Sequence, residues 1–172
     1  MSEPKRAIRT AVMTMSDMGA RGEREDTSGD RIVEFVNRIG GEVVERVLIA
    51  DDREQIRAQL LRFVDEQHVD LVLTTGGTGI APRDVTPDVT ASVVDYQVPG
   101  MAEAMRVVSV QKTPFGMLSR QVVGVRSGTL IINLPGSPKA VVECLEVVEP
   151  VIRHAVDLVH GTFADHTPPA RP

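Results

Sequence analysis

The chain has one cysteine, Cys144, no tryptophan, and only 3% aromatic residues among its 172. A single thiol excludes an internal disulfide framework and agrees with a reducing compartment. Scarce aromatics leave few stacking platforms for nucleic-acid bases. A net charge of −5 with no basic patch argues against nucleic acid as well. No apolar run approaches the ~20 residues of a membrane span. The charged start, Met1-Ser-Glu-Pro-Lys-Arg6, has no signal-peptide core behind it. A cytoplasmic protein without nucleic-acid or membrane partners is expected. His68, His154, His160 and His166 show no ligand spacing with one another or with Cys144, which argues against zinc. There is no Walker lysine after the glycine-rich segment, no Gly-x-Ser-x-Gly elbow and no internal repeat.

What is present is an ordinary globular composition, 42% apolar and 25% charged, whose core must be built from Val, Ile, Leu, Ala and Met. The length predicts one domain, residues 7–161, with flexible tails over 1–6 and 162–172. Residues 8–15 read as a first strand, followed by a long polar loop over 16–27 that carries Ser16 and Asp17. Thr27 or Ser28 is positioned to cap a helix with Ile32, Val33, Val36 and Ile39 at helical spacing, stopped by Gly40-Gly41. Residues 42–49 alternate as a second strand. Asp51 with Glu54, or Asp52 with Gln55, would make a capping box for a helix carrying Ile56, Leu60, Phe63 and Val64. Residues 69–74 are a third strand.

Strand, helix, strand, helix, strand predicts right-handed crossovers and a parallel sheet, with ligands gathering beyond the strands' C-terminal ends. Further on, helices are expected over 87–94 and after Pro99-Gly100, the latter with Met101, Ala104, Met105 and Val108 on one face for core or subunit contact. Ser127-Gly128 between strands 122–126 and 129–134 predicts a hairpin, hence one antiparallel strand. Two helices complete the reading, one beginning at Ser137-Pro138 and a last one opened by Pro150. Cys144 falls among apolar neighbours and reads as a buried small residue.

The chemistry concentrates in Leu71-Val-Leu-Thr-Thr-Gly-Gly-Thr-Gly79, which runs on into Arg83-Asp-Val-Thr-Pro-Asp88. A buried strand ending in glycines can bring successive backbone N–H groups onto an anion. Thr75, Gly76, Gly77, Thr78 and Gly79 are therefore candidate phosphate contacts, with Asp84 a carboxylate beside them and Thr86-Pro87 a helix start. Pro135-Gly-Ser-Pro-Lys139 offers a second anion site at a helix N-terminus through Gly136, Ser137 and Lys139. Taken singly, the aspartates read as helix caps. Their loops, however, all open at one sheet edge, which raises Asp17, Asp51 and Asp84 to candidate site residues.

Four blocks carry a resemblance: Thr14-Met-Ser-Asp17 with Glu25-Asp-Thr-Ser-Gly29, the glycine segment through Asp88, Leu118-Ser-Arg120, and Leu134-Pro-Gly-Ser-Pro-Lys-Ala-Val141. In order and spacing they resemble the molybdopterin adenylyltransferase family, the MogA and MoaB proteins of molybdenum-cofactor biosynthesis, over residues 8–160. The resemblance implies a three-layer α/β/α domain that binds molybdopterin and assembles as a homotrimer or hexamer. It also implies a reaction in which Mg²⁺ and ATP adenylylate the pterin's terminal phosphate, releasing pyrophosphate, with hand-over of the product to a molybdenum-insertion protein. Asp51 and Asp84 stand where the family needs aspartates for activity, and they are the metal candidates. Thr78, Ser109 and Ser119 resemble its pterin-phosphate contacts. A MoaB-type paralogue that binds or carries molybdopterin without reacting it is the alternative. One departure is Pro99-Gly-Met-Ala-Glu-Ala-Met105, where many members carry Pro-Gly-Phe-Gly.

Overall fold

A computed structural model describes residues 6–162, so the expected tails lie almost wholly outside the described residues. Strands β1 (Arg9–Met15), β2 (Glu42–Ile49), β3 (Leu71–Thr75), β4 (Tyr96–Gln97), β5 (Val123–Arg126) and β6 (Thr129–Leu134) form one sheet. Its order is β2-β1-β3-β6-β5-β4. β2, β1, β3 and β6 pair in parallel, while β5 runs against both β6 and β4. The expected single reversed strand is β5. Between the strands lie helices α1 (Asp17–Ala20), α2 (Thr27–Arg38), α3 (Arg53–Leu61), α4 (Thr86–Val93) and α5 (Pro99–Lys112), and α6 (Pro138–Val159) follows β6. A π-helical turn, Arg62–Glu66, extends α3, and a 3-10 turn, Pro114–Leu118, follows α5.

Because side chains alternate along a strand, the central strands feed two cores. Val12, Leu71, Leu73, Leu130 and Ile132 pack with Ile32 and Val36 of α2, Met105 of α5 and Val141, Leu145 and Ile152 of α6. On the opposite face Ala11, Met13, Val72 and Ile131 pack with Ile56 and Leu60 of α3, Phe63, and Val89 and Val93 of α4. This is the three-layer arrangement. Each fully buried Val, Leu or Ile side chain contributes roughly 1.5–3 kcal/mol, so both helical layers are held mainly by apolar burial.

Register places the site. Thr14 pairs with Thr75, Thr75 with Leu134, and Met15 with Ile49. The parallel strands thus end level, and their loops leave from one edge.

Several local expectations are corrected. Asp26, not Thr27 or Ser28, caps α2, its carboxylate accepting from the Gly29 N–H at 2.9 Å. Thr86 is already the first helical residue of α4, and no side chain caps that helix. Part of the long loop is the short helix α1, capped by Ser16, whose Oγ accepts from the Gly19 N–H at 3.0 Å. Ala104 is exposed, and Ala102 with Met105 makes the buried stripe of α5. Pro150 does not open a helix but sits inside α6. The stripe Val141, Cys144, Leu145, Val148, Ile152, Val156 is buried without a break across it. That continuous burial outweighs the ~3 kcal/mol a proline costs in a helix interior.

Candidate active site

The level strand ends enclose a cleft of about 590 Å³, lined among others by Ser16, Asp51, Gly76, Gly77, Asp84 and Ser137. Thr75 and Gly136 also face it. The structure therefore brings together eight of the sequence-predicted residues. The others lie elsewhere. Thr78, Gly79, Ser109 and Ser119 line a neighbouring, more apolar pocket of about 240 Å³ with Phe115 and Pro135. Asp17 sits beside the cleft with its carboxylate bound to Arg83. Lys139 lines neither pocket; its side chain is 86% exposed, with Nζ 4.0 Å from Glu143 on the next turn of α6.

The glycines explain how the rim is built. Gly76 has φ +98°, and a Cβ there would fall 2.3 Å from the Met15 carbonyl oxygen, so only glycine lets β3 turn across the end of β1. Gly77, at φ +63°, has Asp51 Oδ1 2.8 Å and Thr86 Oγ1 2.6 Å from its Cβ position. At Gly79 the same position is 2.8 Å from Asp84 Oδ2. Both aspartates therefore lie directly against the glycine loop, on one side of the molecule.

Their remaining bonds show why neither is merely a cap. Asp52 takes the capping role for α3, accepting from the Gln55 N–H at 2.9 Å, and this frees Asp51. Asp51 and Asp17 are bound reciprocally: each backbone N–H donates to the other's carboxylate at 3.1 Å. Asp84 Oδ2 accepts from the Ala81 N–H at 2.8 Å. Among the described residues no hydrogen bond reaches Oδ1 of either Asp51 or Asp84, which leaves one oxygen of each for a ligand. Burial pushes the Asp51 carboxyl above its ordinary 3.8; the Asp17 N–H opposes this, and the nearby Asp17 and Asp84 charges add to it. Asp17 moves the other way, because the Arg83 guanidinium and the Asp51 N–H stabilise its charge.

Three contributors were not expected. Arg83 binds Asp17 through Nη2 at 2.6 Å and Nε at 2.8 Å, and it lines the cleft. Arg120 straps the loop, donating from Nε to the Gly79 carbonyl at 2.7 Å, from Nη2 to that of Asp84 at 2.5 Å, and from Nη1 to Asp88 at 2.9 Å. Asp26 is tied to Thr14 Oγ1 at 2.9 Å and to Arg46 at 2.7 Å at the cleft wall. The two arginines stand inside blocks that were read for other residues, so position beside a carboxylate or glycine motif was the available signal. Asp26 and its partner Thr14 stand inside such blocks too, but a strand threonine reads the same wherever it points, and the pairing appears only in the fold.

Chemically, the cleft offers a glycine loop with hydroxyls for phosphate oxygens and two carboxylates for a hard cation. No group of three or more His, Cys, Asp or Glu side chains suited to a metal occurs among the described residues. A magnesium ion does not need one, since it is commonly held by one or two carboxylates, waters and substrate phosphates. Two half-free aspartates against the glycine loop fit that role. Cys144 takes no part: it is buried in the core, and burial pushes its thiol up.

Residues 11–154 match the family model described as "Probable molybdopterin binding domain". The chain is 43% identical over 158 residues to the molybdopterin adenylyltransferase of Helicobacter pylori, covering 91% of this chain and 90% of the relative. It is 41% identical to that of Escherichia coli K12, over 91% and 80% of the two chains. Among solved structures it resembles the molybdopterin biosynthesis enzyme MoaB of Thermus thermophilus, at 49% identity and a TM-score of 0.85 over 90% of this chain and 97% of that one. The chain is a member of the molybdopterin-binding domain family.

Proposed function

We propose that this protein is a nucleotidyltransferase of molybdenum-cofactor biosynthesis, adenylylating molybdopterin with ATP and releasing pyrophosphate. The observation that carries the reading is the placement of Asp51 and Asp84 against the glycine loop of one cleft, each with an unengaged carboxylate oxygen. Backbone N–H groups of the glycine loop and the Ser16 and Ser137 hydroxyls hold phosphate oxygens, whereas the buried Thr75 hydroxyl, expected from the sequence to join them, donates instead to the Pro135 carbonyl at 2.6 Å. Gly136 lies beside Gly76 at the same wall, its Cβ position 3.6 Å from the Gly76 Cα. Asp51 and Asp84, together with the triphosphate, would hold magnesium, which would supply charge neutralisation for the attack and for the leaving pyrophosphate. Neither carboxylate acts as a base, because the attacking phosphate oxygen of molybdopterin is already ionised. The neighbouring pocket of Thr78, Ser109 and Ser119 shares the glycine loop with the cleft and receives the pterin side of the substrate.

The same proposal includes a cytoplasmic location, assembly as a trimer or a dimer of trimers, and hand-over of the adenylylated product to a molybdenum-insertion protein. Val107, Phe115 and Met117, exposed on α5 and the 3-10 turn that packs on it, support a subunit contact there.

The test is pyrophosphate release from ATP and magnesium with and without molybdopterin. Release is expected only with the pterin, and Asp84→Asn is expected to lower it by at least ~100-fold while the far-UV circular dichroism stays unchanged. Tight pterin binding without pyrophosphate release would mark the protein as the silent carrier instead. Unchanged turnover in Asp84→Asn would remove that residue from the chemistry.

A further inference from the structure

Arg83 pairs with Asp17 and lines the cleft, and neither the fold nor the roles given to the aspartates accounts for it. The cleft wall is acidic for a site that takes a polyphosphate: Glu25, Asp26, Asp51 and Asp84 line it, against Arg24 and Arg83. Asp26 is already engaged with Arg46, whose guanidinium also holds Asp30 at 2.7 Å outside the cleft lining. Arg83 stands next to Asp84 in sequence, with its side chain 63% exposed. It contacts a carboxylate that exchanges backbone hydrogen bonds with Asp51, so it lies one residue away from each proposed metal-binding aspartate. An exposed ion pair is weak and cheaply exchanged. A planar guanidinium binds phosphate oxygens through the same two-pronged geometry it uses for a carboxylate.

We infer that Arg83 is a substrate-binding residue, parked on Asp17 in the ligand-free protein and turned onto the nucleotide's phosphate chain when it enters. This rests on the proposed nucleotide chemistry and adds a residue to it. Asp17 is then a placeholder for the phosphate and, through the Asp51 N–H, a positioning residue for the cleft wall. The exchange compensates charge: the phosphates replace Asp17 as the partner of Arg83, and the accompanying divalent ion faces Asp51 and Asp84.

The experiment is calorimetric binding of magnesium pyrophosphate and of ATP with magnesium to the full chain and to Arg83→Ala, Arg83→Lys and Asp17→Asn. Arg83→Ala is expected to bind both about 10- to 100-fold more weakly, the range of one lost charged hydrogen-bond partner, with an unchanged thermal midpoint. Arg83→Lys is expected to recover part of the affinity, and its KM for ATP to rise more than its kcat falls. Asp17→Asn keeps an oxygen for the Asp51 N–H but removes the charge and the second oxygen that Arg83 Nε reaches, which loosens Arg83, so it is expected to bind pyrophosphate as tightly as the parent or more so. Weaker binding in Asp17→Asn, or unchanged binding in Arg83→Ala, would overturn the assignment of Arg83 alone. A parent protein that binds neither probe would overturn the nucleotide reading and this assignment together.

Discussion

Asp51 is placed at some cost to the fold. Its carboxyl is pushed above 3.8 chiefly by burial, so the folded chain binds that proton more tightly than the unfolded chain does. The protonated form adds stability below the unfolded value of 3.8, and that contribution is lost as pH rises through the raised folded value. At neutral pH the ionised side chain therefore works against folding. Asp51→Asn keeps an acceptor for the Asp17 N–H and removes the charge. It is expected to unfold at a higher urea concentration than the parent near pH 7, to lose that advantage toward pH ~4, and to be inactive. Asn133 is the opposite kind of residue, fully buried and fully used. Its Nδ2 donates to the Thr74 and Thr90 hydroxyls at 3.0 Å each, and its Oδ1 accepts from the Val122 N–H at 3.2 Å, tying β6 to β3, α4 and the entry to β5. Asn133→Ala leaves those groups unpaired in the core and is expected to cost about 3 kcal/mol in urea unfolding.

The glycine loop depends on Arg120 and Gly76 for its shape. Arg120 joins the Gly79 and Asp84 carbonyls to Asp88, and its own N–H donates to the Thr78 carbonyl at 2.8 Å. A lysine has one ammonium and cannot meet three acceptors spread around a planar fork. Arg120→Lys and Arg120→Ala are both expected to lower kcat by about 10-fold or more, because Asp84 loses the strap on its main chain, a loss of ~1.4 kcal/mol in transition-state stabilisation. Asp88→Asn, which leaves both carbonyl contacts of the strap, is expected to change kcat little. Gly76→Ala places a Cβ 2.3 Å from the Met15 carbonyl at φ +98°, which the end of β1 cannot accommodate without moving. That variant is expected to lose about 2–3 kcal/mol of stability and most nucleotide binding, checked by thermal melting and calorimetry.

Across the molecule, two apolar layers clamp a sheet whose level strand ends present the cleft, while Val107, Val110, Phe115, Met117 and Leu118 group exposed apolar side chains on α5 and the turn after it. If that surface joins subunits, sedimentation should give a trimeric or hexameric mass for the parent. Phe115→Ser, which removes a side chain 76% exposed in the single chain, should shift it toward monomer. A monomeric parent would discard the assembly while leaving the cleft chemistry untouched.

Periodicity and punctuation were enough to recognise the main strands, most of the helices and their order. Apolar runs ending in glycine mark β3 and its loop, the Ser127-Gly128 turn announces the reversed strand, and the blocks around Asp17, Asp84, Ser119 and Ser137 identify the family. These signals are local, so they survive in a linear string. β4 did not, because two exposed residues are too few to alternate, and Pro150 misled because a helix interior tolerates proline once both flanks are buried in the same core. Which aspartate caps and which stays free was also beyond local reading: Asp51 and Asp52 are neighbours, and only the meeting of Asp51 with Asp17 and Gly77 separates them. Arg83 and Arg120 belong with them, since a charge on a loop has no role until the fold supplies its partner. Helices and strands follow from forces acting over a few residues, whereas a binding cleft is made of contacts between segments 30 or more positions apart, which exist only after the strands align.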